Sequence, residues 1–326
     1  MIRWRARHDR VVEPYGQLRD APQVVTTPDG VELYLEIDGE LRGEAPLTIV
    51  FCHGYALTQD SWHYQRRDLG SRGKPLGRLV FYDQRGHGRS GRGARDTATL
   101  EQLSVDLAVV LDAVAPRSPV VLVGHSLGGM VIMALADQYP ELFGNRVVGV
   151  ALLATSPGQW AKVTLGVPIY GATLLHRLLP RFLAVLSSHP ELVEKGWRAA
   201  SGLGHVLTRR CGFASDVPLS LVKFTAEMLA ATPIDVIADF YPAFAAHDKL
   251  RALPILRRVE TLVLIGENDL LTPVDHGRVI AQEVPGATLV LMPSAGHQLI
   301  LEHPDVVNHH LRELVARVSQ TLECDK

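Results

Sequence analysis

The segment Gly124-His125-Ser126-Leu127-Gly128 stands between the apolar run VVLV at 120–123 and a helical pattern that opens LGGMVIMALADQY. A serine at a sharp strand-to-helix turn is held out above the sheet in strained backbone geometry, and glycines two before and two after it remove the side chains that would collide there. Because the turn also starts a helix, free N–H groups and the positive end of the helix dipole lie beside the hydroxyl, ready for a developing negative charge. That layout suits a nucleophile whose attack on a carbonyl builds an oxyanion. The plainer reading is that Gly124 and Gly128 permit close packing and Ser126 only caps the helix. The buried strand before the motif and the helix after it favour the nucleophile.

A serine hydroxyl is a poor nucleophile at neutral pH unless a base takes its proton, and that base needs a third group to orient it. Among 14 histidines, His297 stands out. It follows the apolar run TLVLM in the loop Pro293-Ser294-Ala295-Gly296-His297, and sites in open α/β sheets form at the carboxyl ends of strands. The orienting carboxylate belongs at another such end, where Gly266-Glu267-Asn268-Asp269 follows TLVLI. Glu267, Asp269 and Asp275 are the acids within reach.

With these motifs in this order, the sequence resembles the α/β-hydrolase superfamily over about residues 24–318, least so over 158–247. The resemblance implies that His297 is general base and then general acid. It also implies that Asp269, with Pro273 four residues on in the family pattern G-x-x-D-x-x-x-P, binds the imidazole N–H. Glu267 and Asp275 are then solvated loop or helix-start charges, and the chain order Ser, Asp, His is that of the fold. His53-Gly54, after LTIVF, resembles the family's oxyanion loop, which implies two main-chain donors, the N–H groups of Tyr55 and Leu127. Losing one such donor costs about 3 to 4 kcal/mol of transition-state stabilisation. In this picture Gly54 lets the loop approach closely, His53 braces it, and the Tyr55 side chain is free to line a substrate pocket. Asp83-Gln84-Arg85-Gly86-His87-Gly88-Arg89-Ser90 matches a further family signature, D-x-R-G-x-G-x-S, with Asp83 and Arg85 making structural hydrogen bonds behind the site. The same segment read alone suggests a phosphate loop, or a basic patch of Arg85, Arg89, Arg92 and Arg95. It lacks the G-K-[ST] and G-x-G-x-x-G that phosphate and dinucleotide sites use.

The elements that must hold these residues alternate between short β-branched runs and helical patterns, the signature of a largely parallel α/β sheet flanked by helices. A hairpin is expected at 24–27 and 31–37 around Asp29-Gly30. Strands follow at 47–51, 79–82, 120–123, 147–153, 261–265 and 288–291, with helices at 100–114, 127–138, 275–282 and 304–322. Between about 157 and 247 the strand signal disappears and helical spacing rich in Leu and Ala takes over. The predicted organisation is an α/β-hydrolase core formed by 1–157 and 248–326, an irregular Arg-rich arm at 1–22, and an inserted helical cap or lid at 158–247.

A chain of 326 residues that is 47% hydrophobic has ample material for a large core, which excludes disorder as its main state. Its 33 Lys and Arg against 35 Asp and Glu leave a formal charge of −2, so no global field attracts nucleic acid or an anionic membrane. No apolar stretch reaches the roughly 20 residues of a membrane span, and the start MIRWRARHDR lacks a signal peptide's apolar centre. A cytoplasmic protein is expected. Cys52, Cys211 and Cys324 are too few and too scattered for a disulfide framework or a metal site and read as free thiols.

The expected partner is therefore a small molecule, an apolar ester, cleaved by a serine esterase or lipase-like enzyme through an acyl-enzyme with no metal or organic cofactor. Runs such as GATLLHRLLPRFLAVL and LVKFTAEMLA suit an apolar lid over the serine. Relatives with nearly the same constellation cleave C–C bonds, thioesters or N-terminal proline amides, or act as perhydrolases, and a ligand-binding protein on this scaffold is a further alternative. A serine in place of an aspartate nucleophile argues against the epoxide-hydrolase and haloalkane-dehalogenase branches.

Overall fold

The computed structural model of the chain describes residues 13–39, 47–158, 178, 182–183, 185–186, 188 and 201–324. The hairpin comprises β1 (Ala21–Thr26) and β2 (Glu32–Asp38). The strands that follow are β3 (Thr48–Cys52), β4 (Arg78–Tyr82), β5 (Val120–His125), β6 (Val147–Leu153), β7 (Glu260–Gly266) and β8 (Thr288–Met292). Among the described residues these eight form one sheet in the order β1-β2-β4-β3-β5-β6-β7-β8. From β4 to β8 every pairing is parallel, and β2 joins β4 antiparallel. The fold class is thus the mostly parallel α/β sheet that the alternating pattern predicts.

Among the described residues the α-helices are α1 (His63–Leu69), α2 (Leu100–Val114), α3 (Leu127–Gln138), α4 (Ser201–Gly212), α5 (Leu219–Ala231), α6 (Ile234–Ala246), α7 (Val274–Glu283), α8 (Leu299–Glu302) and α9 (Pro304–Cys324). Successive side chains on the central strands point to opposite faces. Val50, Val80 and Leu122 pack in one core with Leu107 of α2 and Ile132 of α3, whereas Phe51, Phe81 and Val123 pack in the other with Leu69 of α1 and Leu311 of α9. Both faces are covered, so the strands read as continuous apolar runs. No described helix is long and apolar enough to cross a membrane.

Helices α4, α5 and α6 lie in the sequence between β6 and β7, which are neighbours in the sheet. They extend the two cores: Leu221 and Val222 of α5 join the α1/α9 side, and Val236 and Phe240 of α6 join the α2/α3 side. Most of GATLLHRLLPRFLAVL at 171–186 lies outside the described residues, as do Arg3, Arg5, Arg7 and Arg10 of the Arg-rich arm. The described part of that arm is packed. The Tyr15 ring stacks on Phe224 at 5.0 Å, its hydroxyl bonds that of Tyr64 at 2.8 Å, and Asp20 pairs with the buried Arg66. Strand β1 begins at Ala21, earlier than its hydrophobic pattern suggests, because backbone pairing with Ile37 extends it.

The loop after β4 is tied down at both ends. Asp83 accepts the N–H of Gln59 at 2.8 Å and of Arg89 at 3.0 Å. Arg85 grips Asp106 of α2 at 2.5 and 2.6 Å and reaches Asp29 in the hairpin turn at 2.9 Å. Such bidentate guanidinium bonds fix direction as well as distance. The other arginines make no open basic patch. Arg89 bonds Glu36, Arg92 bonds Asp235 and Asp239, and Arg95 pairs with Asp239.

Candidate active site

Ser126 is the single residue between β5 and α3, with φ 53° and ψ −115°, a conformation that strains a side chain other than glycine. The neighbours impose it. The Ser126 N–H donates to the Leu153 carbonyl on β6 at 2.9 Å, and the Thr155 hydroxyl donates to the Ser126 carbonyl at 2.7 Å. A side chain at Gly128 would put its Cβ 2.0 Å from the Cys52 carbonyl oxygen, and one at Gly124 would come within 2.5 Å of the Gly129 nitrogen. Both glycines of the turn are therefore sterically required.

Three loops bring the rest to this turn. His297, between β8 and α8, accepts the Ser126 hydroxyl at Nε2 over 3.0 Å and donates from Nδ1 to Asp269 Oδ2 over 2.9 Å. Asp269, after β7, is buried. Its Oδ1 accepts the N–H groups of Leu271 at 2.8 Å and Thr272 at 2.9 Å, and its Oδ2 also takes the Thr272 hydroxyl at 2.6 Å. Burial alone would raise the pKa of this carboxyl, but the electrostatic interaction with the His297 ring and these hydrogen bonds outweigh it and hold the group below the usual carboxylate range. The competing acids stay outside: Glu267 is exposed, and Asp275 is exposed and paired with Arg278.

Beside the hydroxyl, the turn after β3 carries Tyr55, and α3 starts with Leu127. Among the described residues neither of their main-chain N–H groups has a protein acceptor. The turn is braced from below by His53, whose Nε2 accepts the Gln84 N–H at 2.9 Å while its Nδ1 donates to the Gly54 carbonyl at 2.8 Å. That pairing needs the neutral ring, and burial lowers the His53 pKa to about 4. His125 donates from Nε2 to the His297 carbonyl at 2.8 Å, and burial lowers its pKa to about 3. Two histidines flanking the site thus hold loops rather than carry charge.

Four participants escaped the sequence reading. Thr272 is one, although an aspartate followed by N–H groups two and three residues on is a recognisable turn. Glu302 accepts the N–H groups of Ala214 and Ser215 at Oε1 and that of Gly296 at Oε2 over 2.7 Å, so it joins the loop after α4 to the histidine loop. Thr232 donates its hydroxyl to the Ala56 carbonyl at 3.1 Å. Gln298, next to His297, lines the cavity above the serine. The Tyr55 side chain lines this cavity but is not free, because its hydroxyl donates to the Ile237 carbonyl of α6.

The cavity measures about 370 Å³, and its walls include Leu57, Met130, Leu207, Leu229, Phe244 and Leu271 around Ser126 and His297. A mostly apolar chamber with few convergent polar groups is how small-molecule sites are usually built. Chemically, the arrangement can move a proton from a hydroxyl to an imidazole and receive an anion on main-chain N–H groups.

The sequence profile of the alpha/beta hydrolase family matches residues 49–310. The chain is 28% identical over 291 residues to a putative carbamate hydrolase RutD of Variovorax paradoxus (strain S110), covering 88% of this chain and 97% of that protein. It is 26% identical to human epoxide hydrolase 4, covering 86% and 74%. A thermophilic esterase from Thermogutta terrifontis superposes with a TM-score of 0.67 at 24% identity, over 91% of this chain and 98% of the esterase.

Proposed function

The chain belongs to the alpha/beta hydrolase family, and from that premise we propose that it is a serine hydrolase that cleaves carboxylic esters through an acyl-enzyme. Ser126 Oγ attacks the ester carbonyl as its proton passes to His297 Nε2, and Asp269 stabilises the imidazolium. The N–H groups of Tyr55 and Leu127 receive the oxyanion of the tetrahedral intermediate. As that intermediate collapses, His297 returns the proton to the departing alcohol. Water, deprotonated in turn by His297, attacks the acyl carbonyl, and a second tetrahedral intermediate releases the acid and the serine. In this reading 158–247 is a cap over a core of 1–157 and 248–326, and α4, α5 and α6 wall the pocket for an apolar ester.

The observation that carries the proposal is the continuous path from Ser126 Oγ through His297 to Asp269, at 3.0 and 2.9 Å. The name of the human relative does not transfer to it. A serine that opened an epoxide would be left as an alkyl ether, which water does not release, whereas a serine acyl ester is readily hydrolysed.

Hydrolysis of p-nitrophenyl butyrate and labelling by a fluorophosphonate test the proposal. Ser126→Ala is expected to lower kcat by about four to six orders of magnitude. A protein that takes the label but cleaves no ester of any chain length, while splitting a C–C, thioester or amide substrate, overturns the ester assignment. A protein that neither takes the label nor cleaves any of these overturns the enzyme.

A further inference from the structure

We propose that His309, His310 and Glu313 on α9 form a site for a zinc ion, with His309 Nε2, His310 Nδ1 and the Glu313 carboxylate as its protein ligands. The site is separate from the serine, since none of the three lines the cavity above it.

Both histidines meet Glu313 on the helix surface, because positions three and four apart are neighbours there. His309 Nε2 lies 3.3 Å from Glu313 Oε1, and His310 Nδ1 lies 2.8 Å from Glu313 Oε2. One ligand atom from each residue falls within 4.8 Å of the other two, and among the described residues no other trio of His, Cys, Asp and Glu does this. Ligand atoms about 2.0–2.1 Å from a tetrahedral zinc are roughly 3.3 Å apart, so small side-chain rotations close these three on an ion. The helix beneath is firmly seated. Leu311, Leu314 and Val315 are buried, and Asn308 bonds Gln65 at 3.0 Å and Asp68 at 3.1 Å. The nearby arginines are engaged elsewhere, Arg312 with the Asp68 and Lys74 carbonyls and Arg317 with Glu260. Among the described residues no guanidinium bonds the Glu313 carboxylate.

The donor set chooses the ion. Two imidazoles with one carboxylate suit zinc, whereas magnesium and calcium take oxygen ligands. The hydrogen bond from His310, then the electrostatic influence of both rings and of Arg317, holds the Glu313 carboxyl below the usual carboxylate range, so the anionic ligand is present at neutral pH. Each ring meets the ion through a nitrogen lone pair, with its proton on the other ring nitrogen. The side chains of His309 and Glu313 are 64% and 47% exposed, which gives the ion an entry path and leaves room for water at the fourth position.

Calorimetric titration of the full chain with zinc chloride is expected to show a site for one ion per chain with a Kd of about 10 µM or tighter. In His309→Ala and in Glu313→Gln, both at exposed positions that leave the core untouched, that site is expected to weaken about ten- to a hundredfold. Excess magnesium chloride is expected to leave the zinc bound. Histidine-selective NMR of the ring nitrogens locates the ion: zinc is expected to move the signals of His309 and His310, identified by their loss in His309→Ala and His310→Ala. Zinc that moves only other histidine signals, an affinity unchanged in either variant, or no binding below about 1 mM overturns the proposal. Displacement by magnesium overturns the choice of ion.

Discussion

At position 128 a single methyl group decides whether the serine turn can close. The Cys52 carbonyl oxygen would lie 2.0 Å from a Cβ there, and it belongs to a strand paired on both sides, so it cannot move aside. Gly128→Ala is therefore expected to cost about 3 kcal/mol or more in stability and to abolish ester cleavage, as overpacking against backbone does. Urea titration of the purified variant checks it, and a midpoint within error of wild type would contradict the close approach. Ser126, Asp269 and His297, the side chains of the proposed mechanism, occupy loops after β5, β7 and β8, and each is held by bonds to main chain or to a neighbouring hydroxyl. Such supports keep a catalytic group within the narrow range of geometry that a transition state needs.

Between elements, the turn at 54–57 and helix α6 are the pair that matters. The Tyr55 hydroxyl donates to the Ile237 carbonyl, its ring meets Phe244 edge-on at 4.9 Å, and Thr232 reaches back to the Ala56 carbonyl. The N–H assigned to the oxyanion thus belongs to a residue whose side chain is anchored in the helical layer. Tyr55→Phe removes only that anchor. A neutral hydrogen bond is worth about 1 kcal/mol net, so kcat is expected to fall about three- to tenfold with KM little changed. The thermal midpoint should drop by no more than about 3 °C. A shifted midpoint with unchanged kcat would make the bond a matter of stability alone.

Across the whole molecule, burial lowers the pKa of five histidines, His53, His63, His87, His125 and His247, and three of them respond most strongly to pH. Burial lowers His53 to about 4, and His87 and His125 to about 3. In the unfolded chain each returns to about 6.5, so below that pH the unfolded state binds protons that the folded state refuses. Stability is lost as pH falls, by up to about 1.4 kcal/mol per unit for each histidine, until the folded values are reached. Between pH 7 and 5 the three together remove up to about 5 kcal/mol, a large share of what a folded domain has. Urea unfolding at pH 7 and pH 5 measures this. An unchanged midpoint would show that these rings are charged or solvated.

Local rules carried much of this protein. Short continuous apolar runs set against helical spacing were enough to place the strands of the sheet, and α2 and α3 begin and end where their apolar faces and flanking residues predict. The two glycines around Ser126 marked its turn because steric exclusion acts within a few residues. What the fold alone decided lies between segments far apart in the chain. Glu302 bonds residues about 90 positions away, Thr232 reaches a carbonyl 176 positions away, and Tyr55 spends its hydroxyl on a helix 182 positions on. Side-chain pattern encodes which face of an element is buried. It does not encode which loop another loop will meet, and hydrogen-bond partners across such meetings are chosen only when the whole sheet and its helical layer have packed.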